Sequence, residues 1–286
     1  MGTLHVVSTP IGNLEDLSMR ALRVLREVRL IAAEDTRHTR KLLNHFGITT
    51  PAISYHAHNE RARLEPILAA LAEGDVALVS DAGTPGFSDP GLELIRAALA
   101  AGHSVTAVPG PVAAVTALIL SGLPATRFTY LGFVPRQGTE RRALLAQVAA
   151  QPWPLVCYEA PHRLVDLLTD LLAVLGNRPC AVARELTKMH EEVLRAPLGE
   201  ALAHFQATPP RGEFTVVIDG APPPDAATRA AEADSLEARA AVRLQELVAD
   251  GLSPRDAVQH VAGELGLNRR KVYNIWLASA PQDPAR

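Results

Sequence analysis

The chain has 286 residues, of which 48% are hydrophobic and 21% charged, with a formal net charge of −3. That length admits two domains and a sizeable core, the composition is that of a globular protein, and the charge excludes a global basic field, so any nucleic-acid partner must be met by local patches. Cys157 and Cys180, the two cysteines, sit in apolar stretches with no CxxC and no Cys/His cluster, so neither a structural zinc nor any other metal site is expected. The N-terminal "MGTLHVVSTPIG" has no basic segment and no long apolar run, and "VAAVTALIL" is too short to span a bilayer. A reduced, cytoplasmic protein with no membrane segment is expected.

Short β-branched runs alternate with helical patterns through the first third. "LHVVS" (4–8), "RLIAA" (29–33), "DVALVS" (75–80) and "SVTAV" (104–108) read as buried strands. Between them, "SMRALRVLREV" starts at Ser18, a predicted N-cap. "TRHTRKLLNHF" is closed by Gly47 and "LELIRAALAAG" by Gly102. Pro66 interrupts "RARLEPILAALAEG" and predicts a kink or a late helix start. The alternation predicts a mostly parallel sheet covered by helices.

A second block holds the predicted strands "FTYLGFVP" (128–135), "PLVCYEA" (154–160), "CAVARELT" (180–187) and "EFTVVIDG" (213–220), with helices between them. The Pro-, Ala- and Asp-rich stretch 221–235 reads as a linker and 236–286 as a small helical domain. The expected domains are therefore 1–110 and 111–220, both α/β, the linker 221–235, and 236–286. No internal repeat is visible.

Three predicted strand ends in the first half carry bare Gly/Pro loops: "STPIGN" (8–13), "SDAGTPGFSDPG" (80–91) and "VPGPVAAVTAL" (108–118). In an open α/β sheet, ligands bind beyond the carboxyl ends of the strands. Glycine lets backbone approach a ligand, and proline holds a loop in one shape. Asp81 can accept from a hydroxyl or an amine. A tight turn without a ligand remains the alternative for any one loop; three together favour a cleft. No GK[ST] follows and no G-x-G-x-x-G is present, which excludes a P-loop and a Rossmann fingerprint.

The motifs "STPIGNLEDLS", "AAEDTRHTRKLL", "SDAGTPGFSDPG", "VPGPVAAVTAL", "YEAPHR", "ARELTK" and "GEFTVVI" follow one another in this order over residues 4–220. Together they resemble the tetrapyrrole-methylase superfamily, which uses S-adenosylmethionine, and within it the bacterial small-subunit ribosomal RNA cytidine 2′-O-methyltransferases. The resemblance implies two α/β domains with S-adenosyl-L-methionine in the cleft between them, a homodimer, and 2′-O-methylation of cytidine 1402 of 16S ribosomal RNA within the small ribosomal subunit. It implies cofactor contacts from Pro10, from Asp81, Ala82, Gly83 and Thr84, and from Ala113 and Ala114. It further implies contacts from Tyr158 and Glu159, from Glu185, Leu186 and Thr187, and from Phe214 and Thr215. One departure is Ala160, where the resemblance leads us to expect serine.

A ribose hydroxyl is a poor nucleophile until its proton has somewhere to go, so a nearby carboxylate or imidazole is sought. By position at strand ends, Glu34, Asp35 and His56 are the candidates, with Asp35 favoured and Arg37 holding an RNA phosphate. Capping of the helix that begins near Thr36 is the competing role for Glu34 or Asp35. On that helix Arg37, Arg40 and Lys41 share a face suited to phosphates. Near the C-terminus, "SPRDAVQHVAGELGLNRRKVYNIWLA" reads as a helix-turn-helix, with Ser253 and Asn268 as caps and Arg269, Arg270, Lys271 and Tyr273 on its second helix. Arg136, Arg141 and Arg142 would extend the basic track. A small bundle with a solvated basic face is the plainer alternative. Two other functions compete with the lead: methylation of a tetrapyrrole or of a protein side chain, and a nucleotide-sensing DNA-binding regulator.

Overall fold

A computed structural model describes residues 2–223 and 226–279. They form two compact units that divide between Ala221 and Pro222.

In the first unit the chain opens with β1 (Thr3–Val7), β2 (Leu30–Ala33), β3 (Ala52–Ser54), β4 (Val76–Val79) and β5 (Ser104–Val108). Their order is β3-β2-β4-β1-β5, and every pairing is parallel. Each strand but the last is followed by a crossover helix: α1 (Met19–Glu27), α2 (Thr36–His45), α3 (Glu60–Glu73) and α4 (Leu92–Ala100). Val7, Leu25, Ile31, Leu43 and Val79 fill one face of the sheet, and Leu4, Ala32, Ile67, Leu78 and Leu94 fill the other. Burial on both faces is why β2 and β4 read as unbroken apolar runs, whereas β5, expected to be buried, is an edge strand with Ser104, Thr106 and Ala107 exposed. The predicted caps are in place, Ser18 Oγ accepting from the Ala21 amide at 3.1 Å. Of the two outcomes expected at Pro66, the late start does not occur, because α3 starts at Glu60 and runs through it. Burial of Ile67 and Leu71 holds the helix across the hydrogen bond that proline cannot make.

The second half follows with α5 (Ala113–Ser121), β6 (Thr129–Phe133), α6 (Gly138–Val148), β7 (Leu155–Glu159), α7 (Leu164–Leu175), β8 (Pro179–Arg184), β9 (Glu192–Pro197), α8 (Leu198–Ala207) and β10 (Phe214–Ile218). The order is β6-β7-β10-β8-β9. Only β6 and β7 run parallel; β10 is antiparallel to both neighbours and β8 to β9. Leu145, Leu164, Leu168, Leu198 and Phe205 bury one face under α6, α7 and α8, while α5 covers the other through Ala114, Ala117 and Leu118. Cys157 and Cys180 are buried, unpaired thiols.

The second unit comprises α9 (Ala226–Ala249), α10 (Pro254–Glu264) and α11 (Arg269–Ser279) around Ala240, Leu244, Val258, Val261 and Val272. The stretch 221–235 is therefore not a linker throughout. Residues 224 and 225 lie outside the described residues, and helix begins at Ala226, in keeping with the alanine-rich sequence there. Ser253 caps α10, and the Asn268 side chain accepts from the Arg270 amide at 2.8 Å.

Candidate active site

In the sheet order, β4, β1 and β5 are neighbours, so the three Gly/Pro loops that leave their carboxyl ends stand side by side. They are fastened together. The Thr9 amide donates to the Gly83 carbonyl at 2.8 Å, and the Gly83 amide returns the bond to Thr9 at 3.0 Å. Thr9 Oγ1 donates to the Ser80 carbonyl at 3.1 Å, and the Ser8 and Thr84 hydroxyls meet at 2.8 Å. Gly83 has φ +78°, the left-handed region that a β-carbon disfavours.

These loops form one wall of a cavity of about 400 Å³, a size suited to a small-molecule cofactor. The wall consists of Ile11, Asp81 to Thr84, Val112 and Ala113. Opposite stand side chains from the second sheet: Phe133, Tyr158, Glu159, Leu186, Phe214 and Thr215. The Tyr158 hydroxyl accepts from the Ala114 amide at 3.1 Å, tying that wall to α5. Glu159 is 2% exposed; its Oε1 accepts from the Ala160 amide at 2.8 Å, and its other oxygen lies 3.1 Å from an Arg163 guanidinium nitrogen. Burial is the main influence on its carboxyl and raises its pKa above the usual range.

The remaining predicted cofactor residues stand just outside this lining. Pro10 lines a neighbouring cavity of about 550 Å³ that shares Ile11, Asp81, Ala82 and Glu213 with the first. Ala114 is fully buried. Glu185 and Thr187 flank Leu186 in left-handed backbone, φ +51° and +64°, which few non-glycine residues adopt. Lys188 Nζ grips Glu185 at 3.0 Å and Glu213 at 2.9 Å, and Thr187 Oγ1 accepts from the Asn13 amide at 3.0 Å. This clasp sets Leu186 in the cavity wall and joins the second half to the loop after β1.

Among the acidic candidates, Glu34 lines the cavity and accepts from the Asp81 amide at 3.2 Å. Burial, the main cause, raises the pKa of its carboxyl. Asp35 is absent from the lining and is the N-cap of α2, accepting from the Arg37 amide at 2.8 Å and from its guanidinium at 3.1 and 2.7 Å. The side-chain hydrogen bonds from Arg37 hold this carboxyl far below the usual range, the opposite of what a proton acceptor needs. His56 is absent from the lining too; its amide is bound by Asn59 at 2.8 Å.

Asp89 is the carboxylate that the sequence reading passed over. It lines the cavity, and burial, reinforced by the Glu34 and Asp81 charges, pushes its pKa up to about 6. Phe87, Phe133 and Glu213 in the lining were missed as well.

The basic candidates divide. Arg37, Arg40 and Lys41 line a shallow groove on the exposed face of α2, although Arg37 is committed to Asp35. Arg136 is exposed. Arg141 is not available to RNA: it is 6% exposed and locked onto Asp170, its Nε donating at 2.7 Å. In the second unit Arg269 and Arg270 are exposed, while Lys271 pairs with Glu237 at 2.9 Å.

The tetrapyrrole (corrin/porphyrin) methylase family model matches residues 3–202. A "ribosomal RNA small subunit methyltransferase I" of Synechocystis is 48% identical over 279 residues, covering 97% of this chain and 98% of that one. The protein of the same name from Halalkalibacterium halodurans is 45% identical, covering 96% and 94%. The one from Thermotoga maritima is 47% identical over 221 residues, which are 77% of this chain and 99% of its own. Among solved structures, the methyltransferase CobJ superposes with a TM-score of 0.61 at 19% identity, covering 77% of this chain and 95% of that one. The uroporphyrin-III C-methyltransferase of Thermus thermophilus, solved with S-adenyl homocysteine, gives 0.53 at 22%, covering 76% and 97%. The chain belongs to the tetrapyrrole (corrin/porphyrin) methylase family and, within it, to the ribosomal RNA small subunit methyltransferase I proteins.

Proposed function

We propose that this protein transfers a methyl group from S-adenosylmethionine to the ribose 2′-hydroxyl of a cytidine in the 16S RNA of the small ribosomal subunit. The observation that carries the reading is the cavity itself, which sets the glycine- and proline-rich strand-end loops against Phe133, Tyr158, Leu186 and Phe214 and gathers half-buried Glu34, Asp81 and Asp89 and buried Glu159 in one lining. The near-full-length relatives, named for small-subunit ribosomal RNA, favour RNA over a tetrapyrrole, a protein side chain or a regulatory role as the business of this chain.

The lining suits the cofactor: apolar Ile11, Val112, Ala113, Leu186 and Phe214 for an adenine and an aliphatic chain, and the Asp81 carboxylate with the backbone of Ala82 to Thr84 for its polar groups. When bound, S-adenosylmethionine supplies a methyl group already activated by a sulfonium. What remains for the chain is to place the acceptor oxygen and to receive its proton. Asp89 receives the proton, its pKa of about 6 being the best matched to neutral pH, while Glu34 fixes the Asp81 amide beside it. Arg40, Lys41 and Arg136 take RNA phosphates, and Arg269 and Arg270 add a sequence-independent grip from the second unit. Exposed Val115 and Ile119 on α5 supply an apolar contact for a homodimer. No helix among the described residues is long and apolar enough to cross a membrane.

The test is to incubate the protein with labelled S-adenosylmethionine and unmethylated small subunits, then hydrolyse the RNA in alkali. Methylation of a 2′-oxygen protects one linkage, so the label should stay in a single alkali-resistant cytidine dinucleotide. Label on a base or on a protein, or none at all, would overturn the reading.

A further inference from the structure

The strand β6 carries an extra residue. Tyr130 pairs with Val156, but the next partner of the ladder, Cys157, faces Gly132, so Leu131 is bulged out of register. A bulge redirects every side chain beyond it. In unbroken register Phe133 would share a face with Leu131, which packs into the core under α6 and α7. Instead Phe133 pairs with Tyr158 and turns onto the cavity face, while Val134 enters that core. Gly132, with φ +62°, makes the turn possible, and a β-carbon there would stand 3.0 Å from Ser88 Oγ. Ser88 is itself left-handed, φ +65°, and its hydroxyl meets that of Tyr130 at 2.7 Å.

The device delivers a phenylalanine that is 60% exposed at the lining of the cavity. Its neighbours are otherwise engaged. Phe87 stacks on Tyr130 at 4.3 Å, and Tyr158 makes T-shaped contacts with both Tyr130 and Phe133, at 5.4 and 5.5 Å. Phe133 lines the same cavity as Asp89 and Glu34, whereas Leu186, Phe214 and Thr215, on the same wall, are buried. Exposing a ring this large forgoes the burial that its ordinary register would give, and the strand breaks its ladder to do so.

We infer that Phe133 is the platform on which the base of the acceptor nucleotide stacks, placing its ribose hydroxyl among the cavity carboxylates. A nucleotide that reacts deep in a protein cleft leaves its own stack, and an aromatic face replaces the neighbours it loses. The inference rests on the RNA-methyltransferase reading above. A nucleobase could also come from the adenine of the cofactor. The difference in exposure assigns adenine to the buried part of the cavity and the acceptor base to Phe133.

The experiment compares wild type with Phe133→Ala, Phe133→Leu and Phe133→Trp. Calorimetry measures S-adenosylmethionine affinity. Single-turnover methylation over a range of small-subunit concentrations gives half-saturation and maximal rate, and gel filtration gives the oligomeric state. Loss of one base–aromatic stack should raise half-saturation roughly 5–150-fold in the Ala and Leu variants. The Trp variant should stay near wild type, and cofactor affinity should be unchanged in all three. Leu fills nearly the same volume without a π-face, so it separates stacking from packing should the Ala variant fold poorly. Weakened cofactor binding with normal half-saturation would make Phe133 the adenine platform and overturn the inference. So would wild-type behaviour of the Leu variant, or a shift in oligomeric state, which would make the ring an interface residue. A wild-type protein inactive on small subunits removes the functional reading and this inference with it, whereas failure of the inference alone leaves the wild-type activity standing.

Discussion

The two walls of the cavity are made in different ways. The first sheet is wholly parallel, so the carboxyl ends of adjacent strands coincide, and its wall is built of short loops, Gly83 and the prolines among them, tied to one another by backbone bonds. The second sheet is mixed, and its contribution is almost entirely side chain: Phe133, Tyr158, Glu159, Phe214 and Thr215. A backbone wall tolerates little change in its own residues but is indifferent to what faces it. A side-chain wall can be rewritten residue by residue. The expected division of labour is that the first wall holds the cofactor and the second, with the acidic rim, adapts to the acceptor.

The sharpest way to break this division is at the carboxylate rim. Asp89→Asn should lower single-turnover methylation by roughly 10²–10⁴-fold with cofactor affinity intact. The wild-type rate should rise with pH through about 6, and that limb should flatten in the variant. Stability should move the other way. A raised carboxyl pKa means that the native state holds the proton more tightly than the unfolded chain, so its contribution is full at low pH and lost as pH rises through about 6. The variant, which cannot ionise, should therefore melt higher than wild type at pH 8 and no higher at pH 4. An unchanged rate would remove Asp89 from the chemistry.

A smaller effect is expected at the backbone wall. Gly83→Val puts a branched side chain at φ +78° and sets its strain against the paired bonds between Thr9 and Gly83. Strain of about 1–3 kcal/mol implies cofactor affinity weaker by roughly 5–150-fold, with far-UV circular dichroism unchanged. Undiminished binding would mean that this loop does not hold the cofactor.

Smaller again is the loss of the second unit. A chain ending at Ala221 should bind cofactor as before and small subunits less tightly, with a shallower dependence on salt. The Thermotoga relative is matched over 99% of its own length by 221 residues of this chain. Equal salt slopes would leave Arg269 and Arg270 without an RNA role.

The smallest expected effect is at Asp35. Asp35→Ala should cost about 1 kcal/mol of stability as a lost N-cap, visible in thermal melts, and leave the maximal rate near wild type. A rate collapse without loss of stability would restore it as the base.

Much of the first sheet was legible because its central strands are rich in buried apolar residues and its loops in glycine and proline. What escaped were the short edge strands. β3 has three residues, and β9, "EVLRAP", carries charges and ends in proline, features that keep an edge from pairing further and also hide it from a hydrophobic pattern. Asp35 and Asp89 could not be ranked from sequence, since one is set apart by its own neighbour Arg37 and the other by burial that only the folded loop creates. Arg141 looked like part of an exposed basic run; its partner, Asp170, lies 29 residues away. Phe133 did leave a signal. A glycine inside "YLGFV" is the mark of a bulge, and following the side chains past it would have turned the ring to the cavity.

That single bulged residue also has a bearing on the gene. Removing the codon for Leu131 would shorten β6 by one residue and restore an unbroken ladder, a change that strand geometry alone would welcome. It would leave Gly132 opposite Cys157 and Phe133 opposite Tyr158, since the pairs on either side of the bulge become consecutive, so the ring keeps its face and only the apolar cover of Leu131 is lost. A substitution at Gly132 that flattened the bulge with every residue kept would do the opposite, turning Phe133 inward and erasing the aromatic face of the cleft.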